Sequence, residues 1–364
     1  MTRRVAAVLL SAGVAACGGG TKSAKTTPSP ASGSGSNTQS MQDTGMPDAS
    51  GAAQTNPGAP AAGGPGAPAG GSNAGAPGAP PEPAVVFPNQ DPDPAQAKAQ
   101  VDQHLSVAKR ALALPAPDGD TALREAREAL KIDAANVDAA AYVAYAYYAK
   151  KQLDTSELVL DELFKRPTAK SNANVYYVYG LVYDHTNRPE QAVLAFKKAT
   201  ELDPSFASAW VDLGVHQLEN KQYQDAIQTF EKATKQLGRN DAATLDDLGS
   251  AYRGAAGDLP PGSGDRTRLI QAAEAAYKRS LQADPGYGLA YYNLALLYLD
   301  FDPFPSGGGS LDPLQRIDAA KAFLSQYKNA KGVDMKLFDE RMKDVAKAEK
   351  RAKKAAKSAK KGGK

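Results

Sequence analysis

Through most of the chain, apolar residues recur three and four positions apart, the spacing that gathers them on one face of a helix. The pattern starts near residue 95 and runs to Val345. A longer period lies over it. Tyr176, Tyr179, Gly180, Ala192, Phe196 and Ala199 are followed thirty-four positions on by Trp210, Leu213, Gly214, Ala226, Phe230 and Ala233. A period of this length marks stacked helical units, none of which can bury its apolar face alone. The same frame continues downstream with Leu245, Leu248, Gly249 and Tyr252 leading to Ala273, Tyr277 and Ser280, then with Tyr291, Leu294, Ala295 and Tyr298 leading to Ala319 and Phe323. Upstream it fits Ala140, Val143, Ala144 and Tyr147 with Ser156, Leu160 and Leu163, and a degenerate first copy keeps Ala122, Ala126 and Ala129. An all-α chain follows, with about six helix pairs over residues 95–332. Leu337, Phe338, Met342 and Val345, again at helical spacing, predict a helix within 333–364 that caps the last pair.

The small residues Gly180, Gly214, Ala192 and Ala226 sit where the two helices of a pair cross, and bulk there would force them apart. Pro204 after Asp203 sets the turn between pairs, because proline cannot continue a helix and disfavours helical backbone before it. An order of aromatic, Leu-Gly, Tyr, Ala, Phe, Ala and Pro resembles the tetratricopeptide repeat. That resemblance implies a right-handed α-solenoid that binds another protein. It also implies a concave groove lined by inward positions of each first helix, here Tyr145, Tyr148, Tyr177, Leu181, Val211, Val215, Tyr292 and Leu296, with Asp184, Asp212, Asp246 and Asp247 among them. The Lys and Asn that let some relatives clamp a peptide's terminal carboxylate are missing; Ala141, Tyr177, Tyr145 and Leu181 stand there. An apolar, aromatic groove with carboxylates suits a segment with an apolar face and some basic residues.

Two copies are longer than the rest between their first and second helices. The added stretches, 254–266 with Pro260-Pro261 and 301–310 with Pro303, Pro305 and three glycines, predict loops that project side by side from one edge. Phe301 and Phe304 in the second are expected to tuck back under the last pair.

Outside the repeats the chain changes character. Residues 1–17 read as Arg3-Arg4, an apolar run to Ala16, and Cys17, the only cysteine. This is the layout of an export signal, too short to span a bilayer permanently. Val14-Ala15-Ala16-Cys17 resembles a bacterial lipobox, which implies acylation of Cys17 and membrane anchoring; Gly18 in the next position implies delivery to the outer membrane of a diderm cell, facing the periplasm. Residues 18–94 are mostly Gly, Ala, Pro, Ser, Asn, Gln and Thr, a composition with too little apolar bulk to offset its ordering entropy, so a disordered tether is predicted. Net charge is +3, but residues 341–364 carry eleven Lys/Arg against two acids while 18–340 sum to −8. A basic tail on an acidic body could touch an anionic surface.

Candidate chemistry is sparse. His104, His185 and His216 lie in different repeats, without the spacing that brings two onto one metal, and Gly307-Gly308-Gly309 lacks the Lys-Ser/Thr of a phosphate cradle. No cofactor, metal or catalytic centre is expected, and export disfavours nucleic acid as a partner. Lipid anchor plus six such repeats resembles the pilotin lipoproteins that bring pilus secretins to the outer membrane. Tetratricopeptide lipoproteins of barrel assembly and gliding motility are looser analogues. The expected function is a docking or assembly factor that binds another envelope protein; the rival is a structural lipoprotein that bridges the envelope through its basic tail.

Overall fold

The computed structural model describes residues 93–330 and 332–362; the expected signal, Cys17 and nearly all of the tether lie outside them. Twelve helices form six antiparallel pairs: α1 (Pro94–Leu112) with α2 (Gly119–Ile132), α3 (Val137–Ala149) with α4 (Leu153–Phe164), and α5 (Ala173–His185) with α6 (Pro189–Leu202). They continue as α7 (Ala207–Glu219) with α8 (Tyr223–Glu231), α9 (Ala242–Gly257) with α10 (Gly264–Ala283), and α11 (Gly288–Asp300) with α12 (Pro313–Asn329). A last helix, α13 (Met335–Gly362), packs on α12. The predicted six pairs and cap are thus present. Among the described residues no helix is long and apolar enough to cross a membrane.

The repeat works at three recurring points. First, the tight turn inside a pair places Lys151, Asn187 and Lys221 in the left-handed region, at φ 64°, 60° and 59°. Second, Asp133, Asp203 and Asp284 end α2, α6 and α10 in extended backbone. Their carboxylates accept the N–H two residues on, from Ala135, Ser205 and Gly286 at 3.0, 2.9 and 2.8 Å, a side-chain mimic of a turn that restarts the next pair. Third, the helices of a pair cross at a glycine. A Cβ on Gly180 would stand 2.5 Å from the Phe196 ring, on Gly214 2.8 Å from Phe230, and on Gly249 2.6 Å from Tyr277. All three rings are buried, so the absent side chain sets how closely the helices approach.

The two longer copies behave differently from each other, and the first corrects the sequence reading. Residues 254–266 are mostly helical: α9 runs to Gly257 and α10 begins at Gly264, so only 258–263 link them. Gly254, read as a loop residue, lies in α9 with its Cα hydrogen face against the Tyr223 ring, where a Cβ would stand 2.3 Å away. Packing between neighbouring pairs therefore overrides the breaker signal of Gly254, while Pro260-Pro261 stay in the link. The second stretch is a true loop with a short antiparallel hairpin, Pro305–Ser306 with Gly309–Ser310. Phe301 and Phe304 do tuck back: Phe304 stacks on Tyr298 at 4.1 Å and Arg266 of α10 covers Phe301 at 5.0 Å. Arg316 of α12 ties the loop down through the carbonyls of Tyr298 and Leu299, at 2.6 and 3.0 Å, and the Asp302 carboxylate at 3.0 Å.

Candidate protein-binding groove

First helices of successive pairs lie side by side, so their equivalent positions form rows. Counted from the small residue at each crossing (Ala144, Gly180, Gly214, Gly249, Ala295), three rows matter. The position three before it holds Ala141, Tyr177, Val211, Asp246 and Tyr292. One after it come Tyr145, Leu181, Val215, Ser250 and Leu296, and four after it Tyr148, Asp184, Leu218, Arg253 and Leu299. The first row is buried throughout. The second keeps Tyr145 and Val215 half-buried, and the third Asp184 and Leu299.

Tyr145, Tyr148 and Tyr177 come together. The Tyr145 ring meets Tyr177 edge-on at 5.9 Å and Tyr148 at 6.1 Å. Tyr177 is buried between Phe206 at 4.7 Å and Phe196 at 5.8 Å, and its hydroxyl donates to Asp212 at 3.0 Å. Tyr148 lies edge-on to His185, with hydroxyl and Nδ1 3.1 Å apart. Leu181 belongs to the same apolar cluster. Val211 and Val215 belong to the next cluster, where Val211 is buried and Val215 half-buried. Tyr292 and Leu296 are apart from all of these: α13 covers them, with Tyr327 5.2 Å from the Tyr292 ring and Val345 in the same cluster. Of the eight positions, Tyr145 and Val215 retain a half-exposed surface; Tyr148, Tyr177, Leu181 and Val211 are buried in the clusters that hold these two, and Tyr292 and Leu296 are buried under α13.

The charges follow a pattern too. Burial is the main reason the tyrosines hold their protons above the usual range; Tyr142 is pushed up to about 12, and Asp212 adds to the effect at Tyr145, Tyr148 and Tyr177. They stand as neutral O–H groups at any physiological pH. Asp184 lies 3.5 Å from His216, which is also 3.8 Å from Glu219 and stacks on Phe196 at 5.7 Å. The sequence reading assigned His185 and His216 no part here. Their signal was their place one or two residues after the crossing-plus-four or crossing positions of α5 and α7, legible only after the rows were aligned.

In the fifth pair all three rows turn polar and buried: Asp246, Ser250 and Arg253 are 4%, 8% and 3% exposed. Asp246 accepts from Asn293 of α11 at 2.9 Å, and Arg253 faces Asp300 at 3.4 Å. Asp246 Oδ1 and Arg253 Nε have no hydrogen-bond partner among the described residues. Burial, reinforced by Asp247, pushes the Asp246 carboxyl up to about 8, so it is largely protonated at neutral pH. No three His, Cys, Asp or Glu among the described residues are grouped to hold a metal ion.

Residues 177–242, the stretch that holds Tyr177, Leu181, Val211 and Val215, match the family model described as tetratricopeptide repeat. These are tetratricopeptide repeats. The solved structure of PilF from Pseudomonas aeruginosa has 18% identity and a TM-score of 0.50, with 68% of this chain and 99% of that chain covered. MamA, at 18% identity, covers 52% of this chain and 93% of its own with a TM-score of 0.34. YrrB, described as a TPR protein with an unusual peptide-binding site, is 16% identical with a TM-score of 0.37, over 56% of this chain and 92% of its own. At these identities the likeness is one of fold. No curated protein matches the chain. A tetratricopeptide array is a scaffold for protein–protein interaction, and proteins built from it are generally not enzymes.

Proposed function

We propose that this protein is a membrane-anchored assembly factor of the bacterial cell envelope, held by an acylated Cys17 in the outer membrane, that captures a segment of another envelope protein in its concave groove and catalyses no reaction. The observation that carries the reading is the aromatic patch of Tyr145, Tyr148 and Tyr177 fixed by His185 and Asp212, with the Asp184 side chain 43% exposed at its edge. Of the three, Tyr145 keeps exposed surface, and a ring preorganised on buried Tyr148 and Tyr177 loses little conformational freedom on binding; such residues dominate interface energies. The neighbouring carboxylate selects a partner with basic residues beside its apolar anchor. Anchoring rests on the lipobox-like segment ending at Cys17.

Tyr145→Ala combined with Asp184→Lys tests this. Both side chains are partly exposed, so the variant should remain helical by circular dichroism while losing capture of its partner from crosslinked membranes. Undiminished capture by a folded variant would remove the groove from the account.

A further inference from the structure

The capping helix has two opposite faces, and only one serves the fold. Leu337, Phe338, Met342, Val345, Ala348 and Ala352 pack on α11 and α12. Lys321 of α12 reaches Glu349 at 2.7 Å and fixes the helix along its length. At 100° per residue this packed face is centred on Val345 and Ala352.

On the other side, Lys343, Lys347, Lys350, Lys354 and Lys357 follow at intervals of 4, 3, 4 and 3 residues. That spacing keeps all five within a strip about 80° wide, facing away from the solenoid, over roughly 21 Å of helix. The side chains from Lys343 to Lys357 in the strip are exposed. Among the described residues only Lys347 of these five is paired, with Asp344 at 3.3 Å. No acid follows Glu349. Lysines near a helix C-terminus favour its dipole, but the dipole acts on the last turn and is indifferent to the side of the helix. It accounts neither for the strip's length nor for its single face.

We propose that this lysine strip is an electrostatic docking surface for an anionic lipid bilayer. A straight row of ammonium groups at one height fits a plane of phosphate headgroups. The only apolar residues from Lys353 onward are alanines, so the helix would adsorb on headgroups without inserting. The charge of −8 over residues 18–340 is repelled from the same surface, which favours approach by the strip. This surface is independent of the groove, and its test leaves the groove untouched.

The probe is a vesicle of phosphatidylcholine with about one-third phosphatidylglycerol, compared with phosphatidylcholine alone, for the full chain carrying Cys17→Ser so that no acyl chain contributes. Each lysine near such a surface is worth about 1 kcal/mol, roughly fivefold, so exchanging five should weaken binding on the order of a thousandfold. Two variants with equal charge change separate the strip from net charge. One carries Lys343, Lys347, Lys350, Lys354 and Lys357→Gln; the other carries the exposed solenoid residues Lys98, Lys131, Lys165, Lys197 and Lys278→Gln. The expected result is tight binding to the anionic vesicle only, abolished by 0.5 M salt, lost in the strip variant and kept within a fewfold in the solenoid variant. Salt sensitivity of the unaltered strip reports even if the strip variant loses helix. Equal binding to both vesicles, equal effects of the two variants, or co-sedimentation with purified peptidoglycan in place of vesicles would overturn the proposal.

Discussion

Gly180→Ala adds one methyl at the third pair's helix crossing, and the structure states what it meets. The new Cβ would lie 2.5, 2.6 and 2.9 Å from three carbons of the Phe196 ring. Comfortable carbon contacts are about 3.5–4.0 Å, so ring or helix must shift by about 1 Å. Phe196 is 1% exposed and held by Tyr177 and His216 at 5.8 and 5.7 Å, which leaves it no free direction. Overpacking of this kind costs about 1–3 kcal/mol, while the gain in helix propensity on replacing glycine returns about 1 kcal/mol. A net loss of up to about 2 kcal/mol should lower the melting temperature by up to roughly 8 °C for a folded array of this size. Gly257→Ala is the control, since a Cβ there meets nothing within 4 Å, and it should be neutral or slightly stabilising. In a Phe196→Leu background the Gly180→Ala penalty should shrink, and thermal or urea unfolding of the four proteins gives the coupling directly. Stabilisation by Gly180→Ala, or additive effects of the two changes, would refute the crossing as described.

Asp246 has a raised folded-state pKa, so the stability it contributes is fully present below about pH 4 and is lost as pH rises through about 8. The difference in melting temperature between wild type and Asp246→Asn should therefore move in favour of the variant across that window; a constant difference would contradict the assignment. Glu349, pulled down to about 2 by hydrogen bonds from Lys321 and Lys353, favours docking of α13 above its ordinary titration range and loses that effect as pH falls through about 2. Glu349→Gln should speed amide exchange in residues 345–352 at neutral pH, and unchanged exchange would assign the docking to apolar contacts alone. Cys17→Ser should shift the exported protein from the detergent phase to the aqueous phase, and unchanged partitioning would place the anchor elsewhere.

The pair architecture was legible because its constraints are local and recurrent. Gly180 and Gly214 announce a close crossing, Phe196 and Phe230 the ring that fills it, and Asp203-Pro204 the turn. The fifth pair misled for the opposite reason. Gly254 and Pro260-Pro261 carry breaker signals, yet Gly254 is helical because Tyr223, thirty-one residues earlier, needs the space of a side chain. The groove was legible only in part. Equivalent positions can be aligned from sequence, which brings Tyr145, Tyr148 and Tyr177 together, but where α13 lands cannot, so Tyr292 and Leu296 were read as open although the capping helix covers them. The lysine strip has the same origin: its spacing is in the sequence, and its outward direction follows only from the face that α13 buries.

The most direct test is site-specific photocrosslinking in intact cells, with the photoreactive residue at Tyr145 in the groove or at Leu158, a 60% exposed position on the second helix of the same pair. The account predicts one defined adduct from Tyr145, lost with Asp184→Lys, and none from Leu158. The same adduct from both positions, or an adduct from Leu158 alone, would contradict it.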